Sequence, residues 1–216
     1  MAAFSHLSIP LGTPPMEARL TDDIPAGDGW QFEPKWDGFR CLAFRDGGEV
    51  ELRSKSGKPL GRYFPEIVEA LLGLSAERFV VDGELVLPVE EILSFEAQQL
   101  RLHPAASRVA KLSRETPAQL MLFDCLQLGD RVLVNQPLAA RRKALEQFAR
   151  KAAGERILLS PVSPERKTAE SWFEQTGGAL DGIVAKELAA PYRPGERAMV
   201  KVKQLRSADC VVGGFR

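Results

Sequence analysis

The residue of this chain with the clearest chemical potential is Lys35, in the stretch Glu-Pro-Lys-Trp-Asp-Gly-Phe-Arg that ends at Arg40. A lysine amine is a nucleophile only when neutral, and a reference pKa of about 10.4 keeps lysines protonated at pH 7. Burial or neighbouring cations lower a lysine's pKa and so favour covalent chemistry. Arg40 is one such cation. Asp37 acts in the opposite direction but could hold a metal or orient the amine, and Gly38 permits a close turn.

The same stretch has an ordinary explanation, because Asp-Gly is a common turn signal between two strands. Composition alone would produce Lys-x-Asp-Gly in roughly a few per cent of chains of this length. The functional interpretation of Lys35 therefore depends on the rest of the chain.

Two later segments place charged residues inside apolar strand patterns. Residues 82–84 (Asp-Gly-Glu) interrupt a strand, which a bulge at a binding site and a tight hairpin turn explain equally well. Lys201 and Lys203 alternate with apolar residues, so both project from one face of a strand. That face is either exposed to solvent or lines a cleft, where two ammonium groups would converge on an anion.

The polar loop at residues 54–58 contains Lys55, which could contact phosphate, although an exposed turn is the simpler explanation. The basic residues near 101–114 could touch nucleic-acid backbone, although basic helix faces are more often just solvated.

The composition is that of a globular protein and narrows the function only a little. The 216 residues are 44% hydrophobic and 27% charged, and 29 basic residues balance 29 acidic ones. The zero formal charge gives no support for nucleic-acid binding by the whole chain, although a local basic face is compatible with it.

The three cysteines are far apart and are typical of reduced core residues. No apolar run approaches 18 residues and no signal-peptide pattern is present, so we expect a cytoplasmic protein without a membrane partner.

The elements that must position these residues are strands and helices in irregular alternation. This pattern argues for an α+β fold with antiparallel sheets and against a doubly wound parallel sheet. The proline-rich residues 11–20 should lie extended across the domain surface, and Thr168 is a candidate N-cap. Helices are predicted over 64–74, 95–102, 104–112, 138–152 and 168–175, and the main strands over 29–35, 39–45, 50–53, 79–87, 118–128, 157–162, 181–186 and 199–203.

Six segments, taken in order, resemble the motifs of the covalent nucleotidyltransferases, the superfamily of ATP-dependent DNA ligases, RNA ligases and mRNA capping enzymes. Each motif is weak alone, whereas six in order over about residues 29–203 are specific. They are residues 35–40, 54–57 (with Lys55 where many members have arginine), 82–84, 122–124, 181–186 (with Asp181 where glutamate is usual) and 201–203. Residues 102–108 and 191–195 are most similar to small bacterial DNA ligases of the C type and to the ligase domain of bacterial end-joining enzymes.

The resemblance implies two antiparallel β-sheets with flanking helices and a nucleotide cleft between them, the ATP-grasp-like fold of DNA ligases and capping enzymes. In that family an OB-fold domain follows, and residues 209–214 resemble its first strand. We therefore expect residues 1–206 to form the adenylation domain and residues 207–216 to begin a truncated OB fold.

The resemblance also implies that Lys35 attacks the α-phosphorus of ATP, expels pyrophosphate and forms lysyl-AMP. Lys201, Lys203 and a divalent ion, Mg²⁺ or Mn²⁺, would neutralise phosphate charge, with Asp37 also in the catalytic group. Asp181 would lie near the metal, with a water between them because aspartate is shorter than glutamate. AMP would then pass to the 5′-phosphate of a nick in double-stranded DNA.

The remaining assignments concern contacts with the nucleotide. Phe123 would stack on adenine, Arg40 and Glu84 would lie at the ribose, and the backbone around Glu33 would read the adenine amino group. Lys55 and Lys186 complete the predicted nucleotide-binding set, which also includes Lys35, Lys201 and Lys203.

The sequence is also compatible with two other functions. The first is an RNA ligase or a capping-type guanylyltransferase, which competition between ATP and GTP for Lys35 would distinguish. The second is a non-catalytic module that binds nucleotides or DNA ends, but such a module has no need of Lys35 together with Glu84, Lys201 and Lys203. For the ligase we expect a monomer that meets nicked DNA, ATP and repair or end-joining proteins.

Overall fold

The computed structural model describes residues 4–89, 92–93, 101–152, 154–176 and 180–203. The predicted helix at 95–102 lies almost entirely outside this part of the chain, as does the expected OB-fold segment at 207–216. The strands are β1 (Ala18–Leu20), β2 (Trp30–Trp36), β3 (Phe39–Asp46), β4 (Glu49–Ser54), β5 (Arg78–Val86), β6 (Pro88–Val89), β7 (Ile92–Leu93), β8 (Gln119–Leu128), β9 (Arg131–Val132), β10 (Ile157–Leu159), β11 (Leu180–Glu187) and β12 (Met199–Val202). The helices are α1 (Pro65–Leu72), α2 (Ala106–Glu115), α3 (Leu138–Lys151) and α4 (Arg166–Glu174).

Two mainly antiparallel sheets form the framework, which confirms the predicted α+β class. The small sheet has the strand order β1-β12-β11-β2, and the large sheet has the order β10-β8-β5-β3-β4 with β9 paired to β8. Each sheet also contains one parallel pair, β1 with β12 and β10 with β8. The strands β6 and β7 pair separately as a two-stranded ribbon.

The hydrophobic core lies in layers around the two sheets. Helices α1 and α3 cover the outer face of the large sheet, where Phe64, Phe79 and Phe148 are buried. Its inner face contributes Phe44 to a second cluster that includes Tyr192. Helix α4 packs on β2 and β11 of the small sheet. Cys41 and Cys125 are buried free thiols, as expected of reduced core residues.

The N-terminal segment is extended, as its prolines predicted. Ile9 and Met16 are buried, and β1 adds to the free edge of β12 in parallel orientation. Backbone hydrogen bonds also join Glu17 to Glu196 and to Met199. The segment is therefore an integral part of the small sheet.

Strand β5 decides between the two explanations of residues 82–84. The strand runs through this segment, and Asp82 pairs with Asp124 whereas Gly83 pairs with Leu122. Phe123 is thus the additional residue of a β-bulge in β8, a feature that redirects side chains at binding sites. A bulge therefore lies beside residues 82–84, but its extra residue belongs to β8 and not to the segment in which it was predicted, and the hairpin alternative is wrong.

The predicted N-cap of α4 is wrong. Thr168 is the third residue of the helix, and its backbone N–H donates to the Glu165 carbonyl. Glu165 has the extended backbone that precedes a helix and occupies the N-cap position, so Thr168 already lies within the first turn. Among the helices in the described ranges, none is long and apolar enough to cross a membrane.

Candidate active site

Strands from both sheets line a cleft of about 870 Å³, a volume that includes its open mouth. The small sheet and the N-terminal segment form one wall, and β3, β5 and β8 of the large sheet form the other. All residues assigned to nucleotide binding from the sequence meet here, namely Glu33, Lys35, Arg40, Lys55, Glu84, Phe123, Lys186, Lys201 and Lys203. Their individual roles stay predictions, but the fold brings the motifs together.

The amine of Lys35 is held by Asp181. Lys35 Nζ donates a hydrogen bond to Asp181 Oδ2 at 2.7 Å, and Lys203 Nζ contacts the same oxygen. Burial works against the charge of Asp181, but the hydrogen bonds from Lys203 and Lys35 outweigh it and lower the pKa of this carboxyl. A charged carboxylate therefore fixes the lysine at the end of β2.

A glycine makes this arrangement possible. Gly182 has φ +138°, and a Cβ there would overlap the carbonyl oxygen of Val202 on β12. The β11–β2 register shifts at this point, between Leu180 and Ile183. Glycine thus lets β11 approach β12 closely enough for Asp181 to lie between Lys35 and Lys203.

Asp37 lies close enough to Asp181 for the two carboxylate charges to repel each other. Burial first, and the Asp181 charge second, raise the pKa of Asp37. A cation would relieve this repulsion, and Mg²⁺ typically binds one or two carboxylates together with substrate phosphates. No group of three or more His, Cys, Asp or Glu within the described residues could hold a metal by itself. The metal role of Asp181 stays a prediction, and a metal there would need further ligands from the substrate or water.

Lys201 and Lys203 both line the cleft, as their alternation on one strand face allowed. Burial, followed by the charges of Lys203 and Lys35, lowers the pKa of Lys201. Crowded ammonium groups favour an anionic ligand, because a bound phosphate removes their mutual repulsion.

Glu84 lies on β5 across the cleft from these lysines. Burial raises its pKa to about 7, against the opposing effect of Arg40 and Lys35. The fold therefore bears a cost for keeping this carboxylate charged at neutral pH.

Replacing Glu84 by glutamine should stabilise the fold at about pH 8 and leave it unchanged near pH 4. The folded pKa of about 7 exceeds the ordinary value of 4.5, so the native state favours the protonated acid. That stability is complete below about pH 4.5 and is lost as the pH rises through 7. Glutamine stays neutral, so the expected gain above pH 7 is about 3 kcal/mol, from about 1.4 kcal/mol for each pH unit between 4.5 and 7. Denaturant unfolding at both pH values measures it, with exposed Glu174→Gln as control. A gain that did not vary with pH would contradict the prediction.

Phe123 at the bulge is flanked by two cations. The Arg40 guanidinium lies 4.5 Å from its ring centroid and Lys186 Nζ lies 4.7 Å from it. Lys186 also pairs with the buried Glu33 carboxylate at 2.8 Å, which accepts a second hydrogen bond from Gln31 at 2.7 Å. This end of the cleft is built around an aromatic face with fixed polar groups.

Lys55 lies at the rim of the cleft. Its side chain is largely exposed and pairs with Glu17 at 2.8 Å. An anion at the rim would compete with Glu17 for this ammonium.

Sequence reasoning gave no role to Asp82, which the structure places at the centre of a buried network. Asp82 accepts two hydrogen bonds from the Arg40 guanidinium, each at 2.6 Å, and one from the Tyr192 hydroxyl at 2.7 Å. A buried carboxylate requires such partners, so the position of Asp82 in an apolar strand pattern could have indicated that it is paired. The identity of the partners was not readable, because 42 residues separate Arg40 from Asp82.

Trp36 was also missed, although it follows Lys35 directly. Its indole Nε1 donates to Ser160 Oγ at 2.9 Å. Phe32 and Ser163 exchange backbone hydrogen bonds nearby. These contacts tie β2 of the small sheet to the segment after β10 of the large sheet, beside the lysine.

Two sheets around a cleft that contains these motifs are the arrangement that the resemblance to the covalent nucleotidyltransferases predicted. The family model described as ATP dependent DNA ligase domain matches residues 15–203, and the chain belongs to this family. It is 51% identical over 203 residues to DNA ligase C2 of Mycolicibacterium smegmatis, covering 94% of this chain and 56% of that protein. It is 43% identical over 206 residues to DNA ligase C of Mycobacterium tuberculosis, covering 94% and 57%.

Solved structures agree with this family. A structure described as mycobacterial DNA ligase D complexed with ATP and MES is 27% identical, has a TM-score of 0.66, and is matched over 91% of this chain and 62% of that one. The resemblance and the fold class are thereby confirmed. The chain spans less than two thirds of the curated relatives described above.

Proposed function

We propose that this chain is the adenylation domain of an ATP-dependent DNA ligase and that Lys35 becomes covalently linked to AMP. In this reaction Lys35 Nζ attacks the α-phosphorus of ATP, an N–P bond forms, and the bond to the leaving pyrophosphate breaks. The observation that supports it best is the position of the Lys35 amine, which lies in a cleft with Lys201 and Lys203 and is hydrogen-bonded to Asp181.

Each charged group has a part in this proposal. Asp181 orients the amine, and the ammonium groups of Lys201 and Lys203 stabilise the negative charge of the phosphates and of pyrophosphate. A divalent ion held by Asp181 and Asp37 would supply further charge neutralisation.

The other end of the cleft suits the nucleoside. The Phe123 ring lies at this end of the cleft to stack on adenine, and the backbone around Glu33 would read the adenine amino group. Arg40 and Glu84 lie on adjacent strands of the large sheet, paired across β3 and β5, where ribose hydroxyls would reach them.

The later steps concern DNA. We propose that AMP passes from Lys35 to the 5′-phosphate of a nick and that the 3′-hydroxyl then displaces it. In this proposal residues 1–206 act as the nucleotidyltransferase domain of a monomer, and residues 207–216 begin the OB fold that closes over nicked DNA. Repair or end-joining proteins are further partners, since a relative at 32% identity is named a multifunctional non-homologous end joining DNA repair protein.

Intact-mass measurement before and after incubation with ATP and Mg²⁺ or Mn²⁺ tests the first step. We expect a gain of one adenylyl group that pyrophosphate reverses. A parallel incubation with GTP tests the capping-type alternative, for which the guanylyl adduct would form instead. A chain that gained no nucleotide with either metal would contradict the proposal.

A further inference from the structure

The Arg40 side chain is fixed from behind by Asp82. Arg40 uses Nε and one terminal nitrogen for the two oxygens of Asp82, a bidentate geometry that sets the guanidinium plane. Burial opposes the Arg40 charge, but Asp82 raises its pKa above the ordinary value. The guanidinium thereby stays charged and lies over the face of Phe123. Asp82 thus determines where a cleft-lining cation sits.

Tyr192 is the second fixed partner of this carboxylate. Its hydroxyl donates to Asp82 Oδ2 at 2.7 Å and accepts from the Met16 backbone N–H at 2.8 Å. Only 3% of Tyr192 is exposed. Burial first, and the Asp82 charge second, raise the pKa of Tyr192 well above its ordinary value. The hydroxyl therefore stays protonated and donates a hydrogen bond to Asp82.

Met16 links Tyr192 back to Arg40 through its backbone. Its backbone carbonyl accepts a hydrogen bond from Arg40 at 3.2 Å, while its N–H donates to Tyr192. Residues 15–18 of the same N-terminal segment line the cleft. Four groups on four separate parts of the chain, Arg40, Asp82, Tyr192 and Met16, are therefore joined in a closed ring of hydrogen bonds.

We propose that Tyr192 is a positioning residue for the nucleotide step, whose hydroxyl holds Arg40 and the N-terminal segment, residues 15–18, in place around bound ATP. The identity of the ligand rests on the proposed function. Tyr192 does not line the cleft itself, so it acts through Asp82 and Met16. Of the two hydrogen bonds of the hydroxyl, one goes to a charged acceptor, the stronger class.

The substitution Tyr192→Phe removes the hydroxyl and keeps the ring. We expect ATP to bind about tenfold more weakly by calorimetry, the effect of one hydrogen bond to a charged group. Amide hydrogen exchange at Met16 should become faster, because its N–H loses its acceptor. The only other tyrosine of the chain, Tyr63, provides the matched control. Tyr63→Phe removes a hydroxyl beside α1 and should change neither ATP affinity nor Met16 exchange.

The outcomes separate this inference from the proposed function. Wild-type ATP affinity in Tyr192→Phe would overturn the positioning role, even if the variant melted at a lower temperature. A wild-type chain that binds ATP but never gains an adenylyl group would overturn the proposed function alone. The role of Tyr192 would still be tested by ATP affinity and by amide hydrogen exchange at Met16. A wild-type chain that does not bind ATP would overturn both.

Discussion

Replacing Lys35 by arginine should abolish the covalent adduct with AMP while leaving the fold intact. Arginine can keep an ion pair with Asp181, but a guanidinium stays charged at any workable pH and cannot act as the nucleophile. We expect the rate of adduct formation to fall at least about a thousandfold, the scale of removing an essential catalytic group. Transfer of label from the α-phosphate of ATP to the protein measures it.

The control for this substitution is Lys143→Arg, which changes an exposed lysine of α3 in the same way. It should take up label at the wild-type rate. Peptide mapping locates the adduct, and labelling of Lys35→Arg at another lysine would show that the nucleophile has been assigned wrongly.

Replacing Gly182 by alanine should be the most damaging single-methyl change in the site. The residue has φ +138°, and its Cβ would overlap the backbone of β12 at Val202. The strand pairing must give way, so we expect a loss of about 3 kcal/mol or more in the free energy of unfolding. Asp181 would move away from Lys35 at the same time. Denaturant unfolding measures the loss.

Gly48→Ala provides the comparison, because nothing lies within 4 Å of a Cβ at that position. Its free energy of unfolding should stay within about 0.5 kcal/mol of wild type. If Gly182→Ala were equally stable, the close approach of β11 to β12 could not be what positions Asp181.

Local patterns predicted the elements well where side-chain periodicity is strong. The alternation around Lys201 and Lys203 placed both on one strand face, and the structure shows that this face lines the cleft. The prolines before Met16 predicted an extended segment. Its parallel pairing with β12 was not predictable, because strand partners depend on tertiary packing.

The candidate site was predictable from motifs but its supporting contacts were not. The motif resemblance assigned Lys35, Glu84 and Phe123 to one site without any information on the distances between them, and the structure places all three in the cleft. Tyr192 lies outside the six motifs and had no assigned role, and its hydroxyl donates to Asp82, 110 residues away in the sequence. The bulge at Phe123 could not be located from the sequence for a similar reason. A register shift is a property of two paired strands, and the sequence of either strand alone does not show it.

The cleft differs in charge from the protein that contains it. Six cationic and three acidic side chains line it among the described residues, whereas the whole chain has a formal charge of zero. At physiological ionic strength, salt screens exposed charges beyond about 8 Å, so the positive potential hardly extends past the cleft mouth. A polyanion would therefore meet the protein by ordinary diffusion, without long-range steering, and would be attracted only after it has arrived. Added salt should then shorten the lifetime of a bound polyanion more than it slows its arrival.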